Sequence, residues 1–264
     1  MKKKLGKLEA QLFAYVQMRR VQTLATGDLM GPLRITAKQE RELFSRLARA
    51  GMIAQARRGL YLVPDRLPLG GKWSPTDVLV LNTLMKDADG SYQICGPNAF
   101  NHYGFDDQVP MRVYAYNNRL SAERTVGSVA LTLIKVADER LGSIQKVQGT
   151  DGEVVVYSSR SRTLVDAVYD WSRFDSLPRA YEWIQEDLRS ERVITTQLVK
   201  DTLEFGNQGT IRRMGALLER EGIRAGLLGK LEKSLRPSTS LIPWIPSRPK
   251  RGKVCRRWGV VINE

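Results

Sequence analysis

The chain has 264 residues, enough for two modest domains or one large one, and its 42% hydrophobic and 27% charged residues are typical of a globular protein. No run of about 18 apolar residues occurs, which predicts that no helix spans a membrane and that the protein has no membrane partner. The two cysteines, Cys95 and Cys255, lie far apart and form no CxxC unit, which predicts a reduced, cytoplasmic protein without a structural metal. The net charge of +14 is uneven: residues 1–66 hold 14 basic and 5 acidic side chains, residues 67–205 hold 15 and 19, and residues 206–264 hold 13 and 4. Two basic ends around an acidic middle favour a polyanionic partner such as nucleic acid.

The first helix is predicted from apolar residues spaced three, four and four apart, namely Leu5, Leu8, Leu12 and Val16. The lysines at its start oppose the helix dipole, and an adjacent phosphate backbone would explain them. These lysines are Lys2, Lys3, Lys4 and Lys7. A short second helix is predicted over residues 23–29, ended by a Gly-Pro pair at 31–32.

A third helix is predicted to begin after the cap Thr36 and to end at Gly51. On a helical wheel its apolar side chains, Leu43, Phe44, Leu47 and Ala50, gather on one narrow side. The other side is polar and mostly basic, with Lys38, Arg41, Glu42, Ser45, Arg46 and Arg49. Such a face suits the major groove of DNA, which admits one helix whose side chains reach base edges.

A β-hairpin is predicted over residues 52–64, with Arg57, Arg58 and Gly59 at its turn. Three helices followed by a hairpin with cations at its tip form the winged-helix arrangement. Residues 1–66 are therefore predicted to be a winged helix-turn-helix domain that binds double-stranded DNA. The predicted DNA-binding residues are Lys3, Lys4, Lys38, Arg41, Ser45, Arg46, Arg49, Arg57 and Arg58.

Residues 67–264 are predicted to form a mixed α/β domain with a helical tail, after a linker at 67–71, so that the whole chain is α+β. Periodicity predicts helices over 77–85 and 98–103, and strands at 111–116, 126–136 and 154–157. Four apolar stripes predict helices between residues 161 and 218. The last apolar runs, 241–245 and 258–262, are predicted to pair as a hairpin or to join the sheet. The basic segment between them is either a second nucleic-acid contact or a solvated hairpin tip.

No pattern points to catalysis. His102 is the one histidine and has no second histidine with which to share a metal, and no phosphate-binding glycine loop occurs. The adjacent carboxylates at 106–107 and 138–139 would point to opposite faces of a strand. We therefore predict a protein that is not an enzyme and has no metal and no cofactor.

Four segments resemble the AbiEi family, the antitoxins of type IV abortive-infection systems. They are residues 58–64 in the predicted wing, 96–104, 162–167 and 207–219. The family commonly has Pro-Glu before the arginine of the third segment, where this chain has Arg160 and Ser161. The order of winged helix, mixed domain and helical tail also resembles that family.

The resemblance implies an autorepressor that binds inverted repeats in its own promoter, and an antitoxin that counteracts a nucleotidyltransferase-like toxin without a stable complex, as a monomer or weak dimer, in antiviral defence. The predicted antitoxin surface comprises Arg212, Arg213, Arg256 and Arg257. Two alternatives stay open: an RNA-binding protein that uses both basic ends, and a nuclease or nucleotidyltransferase with an unrecognised site. Residues 67–264 would also suit a dimerisation domain or a ligand sensor.

Overall fold

The computed structural model describes residues 5–68, 71–149 and 152–264. Within these ranges it has eleven α-helices and twelve β-strands in three sheets, so the predicted α+β class is confirmed. In the same ranges, no helix combines the length and the apolar character that a membrane span needs.

The N-terminal elements are α1 (Lys7–Arg19), β1 (Thr23–Ala25), α2 (Met30–Leu33), α3 (Ala37–Arg49), β2 (Ala54–Arg57) and β3 (Leu60–Leu62). The strands form one antiparallel sheet in the order β1-β3-β2. The helices and this sheet share a core that buries Leu12, Val16 and Leu43. The predicted apolar stripe of α1 therefore holds in its second half, whereas Leu5 precedes the helix and is exposed.

The predicted β-hairpin is confirmed, because β2 and β3 pair antiparallel and are joined by Arg58 and Gly59. Gly59 has a φ of +80°, a backbone conformation that favours glycine in a tight turn. Phe44 of α3 stacks on Tyr61 of β3 with ring centroids 4.4 Å apart. The hairpin therefore packs against α3.

The helix predicted over residues 23–29 is wrong. Residues 23–25 are extended and pair with β3, and the helical turn comes later, as α2. Pro32 does not end that helix but lies in its first turn, where a backbone N–H has no helical acceptor and its absence costs nothing.

The carboxylate of Glu40 explains this local structure. Glu40 lies in α3 and is fully buried. It accepts hydrogen bonds from the backbone N–H groups of Gly27 at 2.7 Å and Leu29 at 2.9 Å. Both N–H groups belong to the segment that joins β1 to α2, so this long-range contact holds a turn where local propensity favours a helix.

The middle of the chain contains α4 (Asp77–Asp87), β4 (Tyr92–Ile94), α5 (Gly96–His102), β5 (Val113–Asn117), β6 (Ala122–Val126), β7 (Val129–Lys135), β8 (Ile144–Gln148) and β9 (Val154–Ser158). The six strands form a mixed sheet in the order β6-β7-β5-β4-β9-β8. β5 is parallel to β7, β4 is parallel to β9, and β6 is antiparallel to β7. The predicted helices at 77–85 and 98–103 are confirmed by α4 and α5.

Two strand predictions in this region need correction. The strand predicted over 126–136 is β7, but it begins only at Val129, because Val126 ends β6 and Gly127, whose φ is +62°, lies in the turn between the two strands. A Cβ atom at Gly127 would lie 2.7 Å from Cδ of Pro75, so the turn requires glycine. The strand predicted to begin at Met111 begins at Val113, and Met111 lies outside β5 and is 95% exposed.

The predicted helical region is confirmed. Its helices are α6 (Arg160–Tyr169), α7 (Trp171–Phe174), α8 (Arg179–Arg189), α9 (Thr195–Phe205), α10 (Gln208–Arg220) and α11 (Ala225–Lys233). The four predicted stripes lie on α6, α8, α9 and α10, and each is buried at its centre, at Leu164, Ile184, Leu198 and Met214.

The C-terminal strands β10 (Ile242–Pro243), β11 (Lys253–Cys255) and β12 (Val260–Ile262) form a separate sheet in the order β10-β12-β11. The runs 241–245 and 258–262 pair with each other as predicted, but the predicted hairpin is wrong, because β10 and β12 are parallel, and neither run joins the main sheet. The hairpin is between β11 and β12. Parallel strands need a long connection, which the basic segment between the two runs provides.

The described residues fold as two compact units. The first contains those of Met1–Tyr92, Met111–Val136 and Gln148–Val155, and the second those of Gln93–Pro110, Ala137–Val147 and Val156–Glu264. The predicted domain boundary between residues 66 and 67 stays a prediction.

The role of Glu40 gives a test of the N-terminal fold. We expect Glu40→Ala to lower the free energy of unfolding by about 3 kcal/mol, because two backbone N–H groups lose a carboxylate acceptor. Glu42→Ala removes an exposed carboxylate two residues away in the same helix and should change it by less than about 0.5 kcal/mol. Urea unfolding followed by circular dichroism measures both, and equal effects would contradict the assignment.

Candidate nucleic-acid interface

The helix α3 presents one buried and one exposed side. Thr36 Oγ1 accepts a hydrogen bond from the Gln39 N–H, and Gln39 Oε1 accepts one from the Thr36 N–H, so the predicted cap is confirmed. The apolar side packs into the N-terminal core. The exposed side carries all five predicted side chains, Lys38, Arg41, Ser45, Arg46 and Arg49.

The exposed cations of α3 differ in their partners. Arg46 Nε donates to Glu9 Oε1 of α1 at 2.8 Å, and Arg49 Nε donates to the Ser45 carbonyl at 3.3 Å in its own helix. Lys38 and Arg41 have no hydrogen bond or ion pair with any other described residue. These two cations are therefore the ones on α3 that are open to an anionic ligand.

The two arginines at the hairpin turn differ in the same way. Arg57 donates to both carboxylate oxygens of Asp87 in α4. This hydrogen bonding raises the pKa of Arg57 and lowers the pKa of Asp87. Arg58 is exposed and has no side-chain partner among the described residues. Lys3 and Lys4, the remaining predicted contacts, lie outside the described residues.

In the predicted antitoxin surface, Arg212 and Arg213 point into the protein. Arg212 donates to the backbone carbonyls of Trp258 at 2.7 Å, Ser240 at 2.6 Å and Gly259. Arg213 is only 8% exposed and donates to the Pro243 carbonyl at 3.2 Å. Burial lowers the pKa of both arginines. Both guanidinium groups hold the C-terminal sheet to α10.

The other two predicted arginines, Arg256 and Arg257, are adjacent but differ. Arg257 bridges Glu219 of α10 at 2.6 Å and Glu232 of α11 at 2.7 Å, and these hydrogen bonds raise its pKa. Arg256 is exposed and has no side-chain partner in the described part of the chain. Of the four, Arg256 is thus the one whose charge is exposed and uncommitted, meaning that it has no partner among the described residues.

The second unit also contains a buried ion pair that was not predicted. Arg162 in α6 is fully buried, with both Asp166 oxygens 2.9 Å from its Nε, the Arg140 carbonyl 2.9 Å from its Nη2, and the Phe205 ring 3.8 Å from its Cζ. The sequence contained a signal for this ion pair, because an arginine four residues before an aspartate lies on the same face of a helix. The ion pair accounts for Arg162 and Asp166 as packing residues and involves no ligand.

The structure does not assemble a metal site from the described residues, where no group of three His, Cys, Asp or Glu side chains is suitably placed. His102 stacks on Tyr157 with ring centroids 4.1 Å apart and an interplanar angle of 8°. Partial burial lowers the pKa of His102. The stacked imidazole is thus explained by its aromatic neighbour.

No protein-family model and no curated protein matches the chain. Among solved structures, the chain is similar to the crystal structure of the RV2827C protein from Mycobacterium tuberculosis. The TM-score is 0.63 at 13% sequence identity, and the similarity covers 98% of this chain and 92% of that chain. At such low identity it shows a shared fold and nothing about ligands.

The different environments of Arg212 and Arg256 can be tested through stability. We expect Arg212→Ala to lower the free energy of unfolding by about 2 kcal/mol, because several carbonyls lose a charged donor. Arg256→Ala removes the same charge from the surface and should change it by less than about 0.5 kcal/mol. Thermal and urea unfolding measure both. If Arg256→Ala were the more destabilising change, the assignment of the two side chains would be wrong.

Proposed function

We propose that this protein binds double-stranded DNA through a winged helix-turn-helix at its N-terminus and represses transcription of its own operon. On this proposal α3 is the recognition helix, the β2–β3 hairpin is the wing, and inverted repeats in the promoter are the operator. The protein would act in the cytoplasm, as a regulator rather than an enzyme.

The observation that carries this proposal is the exposed side of α3. Lys38 and Arg41 lie there without a partner among the described residues, while Glu40 between them is turned inward and bound. Two exposed cations spaced one helical turn apart suit base edges or phosphates in the major groove. The packing of the hairpin against α3 through Phe44 and Tyr61 supports the same arrangement.

We further propose an antitoxin activity for the C-terminal region, on the basis of the AbiEi-like segments. A charge pattern supports it. All four acidic residues of the range 206–264 already bind arginine or amide groups of the chain: Glu219, Glu221, Glu232 and Glu264. Exposed cations of this range that lack a side-chain partner among the described residues include Lys230, Lys233, Arg236, Arg248, Arg251, Lys253 and Arg256.

The arrangement leaves uncommitted positive charge and no uncommitted carboxylate in this C-terminal range. A polyanion is the partner that such a surface favours. If toxin and antitoxin act on a shared nucleic-acid target, the exposed cations replace Arg212, Arg213 and Arg257 as the groups that would bind it.

The DNA-binding proposal predicts that Lys38→Ala/Arg41→Ala lowers operator affinity by about 30-fold or more, since each base contact contributes about 1–3 kcal/mol. The control Lys200→Ala/Arg224→Ala removes the same charge from exposed, unpartnered positions elsewhere and should retain the affinity. Band shifts with the upstream region of the operon and with random duplex measure both. Equal affinity of the wild type for the two duplexes would refute the repressor function.

The antitoxin proposal predicts rescue of growth when the protein is co-expressed with a nucleotidyltransferase-like toxin from the adjacent reading frame. Arg251→Glu/Arg256→Glu should abolish rescue and retain operator binding, because it reverses charge only at the C-terminal surface. Lys38→Ala/Arg41→Ala should have the reciprocal effect. Growth assays and band shifts give the two readouts, and a stoichiometric complex on co-purification would overturn the type IV assignment.

A further inference from the structure

The turn of the β2–β3 hairpin carries two neighbouring arginines, and only one of them has its charge committed. Arg57 Nε donates to Asp87 Oδ2 at 2.5 Å, its Nη2 donates to Asp87 Oδ1, and its Nη1 donates to the Arg58 carbonyl at 2.7 Å. Every nitrogen of this guanidinium thus has an acceptor. The Arg58 side chain is exposed, with no partner in the described ranges.

The Arg57–Asp87 pair is poorly suited to bind a phosphate. A two-point arginine–carboxylate contact is among the stronger polar contacts in proteins, and a phosphate would have to displace it. The pair has no net charge, so its approach to DNA would release no counterion. Arg58 meets neither obstacle.

The same contacts brace the turn. The Arg57 guanidinium ties the Arg58 carbonyl to α4 through Asp87, on one side of the turn. On the other side, the Thr26 N–H at the end of β1 donates to the Gly59 carbonyl at 2.9 Å. The peptide groups on either side of residue 59 are therefore held by two different elements of the first unit, which limits the directions open to the Arg58 side chain.

We propose that Arg57 and Asp87 are a positioning pair that orients the hairpin turn, and that Arg58 is the turn arginine that binds a DNA phosphate. This inference rests on the proposed DNA binding and separates two residues for which the sequence predicted one role. Arg57 acts through the backbone of Arg58, without touching the nucleic acid.

The salt dependence of binding distinguishes the two roles. For full-length protein on operator and random duplexes, the slope of log affinity against log salt changes by about 0.9 for each phosphate that the protein no longer neutralises. We expect Arg58→Ala to reduce the slope by that amount. The double variant Arg57→Ala/Asp87→Ala, which keeps the net charge, should bind more weakly at every salt concentration with the wild-type slope.

Two further measurements test whether the variant stays folded and whether its turn is loosened. Circular dichroism should show the double variant folded at the assay temperature. Hydrogen exchange of the Thr26 amide should accelerate, because the turn that accepts its hydrogen bond is no longer braced. Arg57→Lys, which keeps the charge, should also weaken DNA binding, because an ammonium group cannot reproduce the two-point contact with Asp87.

Any other result with the variants overturns the inference. A slope reduced by the double variant as much as by Arg58→Ala would make Arg57 a phosphate ligand, and unchanged affinity would remove the positioning role. Wild-type protein without operator preference would refute the repressor proposal alone, because the slope on random duplex still measures how many phosphates are neutralised. Wild-type protein that binds neither duplex would refute both.

Discussion

The buried carboxylate of Glu40 is the constraint on which the arrangement of the N-terminal unit depends. A buried carboxylate costs several kcal/mol unless hydrogen bonds compensate, and here the N–H groups of Gly27 and Leu29 supply them. Its place in the first turn of α3 adds a favourable interaction with the helix dipole. Because the two N–H groups precede α2, this one side chain fixes both the turn after β1 and the position of α3 against it. The position of α3 determines which of its faces is exposed to solvent.

Arginine has two uses in this protein, and the net charge does not distinguish them. Arg162, Arg212 and Arg57 bind carboxylates or backbone carbonyls of the chain itself, where the planar guanidinium satisfies several acceptors at once. Others, such as Arg41 and Arg256, extend from exposed positions and bind no described residue. Only the second group can contribute to a surface for a polyanion. The basic surface of each end is therefore smaller than its net charge suggests, and better defined.

The similarity to the RV2827C protein shows how little sequence identity this fold needs. A core requires apolar side chains of suitable volume in the right periodic positions, and many sequences satisfy that demand. Exposed cations are under no such packing demand. A shared fold therefore carries no information about which exposed positions bear a positive charge.

The sequence by itself determined the features that depend on residues close together in the chain. The cap at Thr36, the two sides of α3, the turn at Gly59 and the helical stripes each depend on residues within a few positions of one another. Only the tertiary structure decided which charges are committed. Arg46 meets Glu9 across 37 residues, and Arg57 meets Asp87 across 30. Periodicity is a local property of the chain, whereas an ion pair depends on two side chains that only folding brings together.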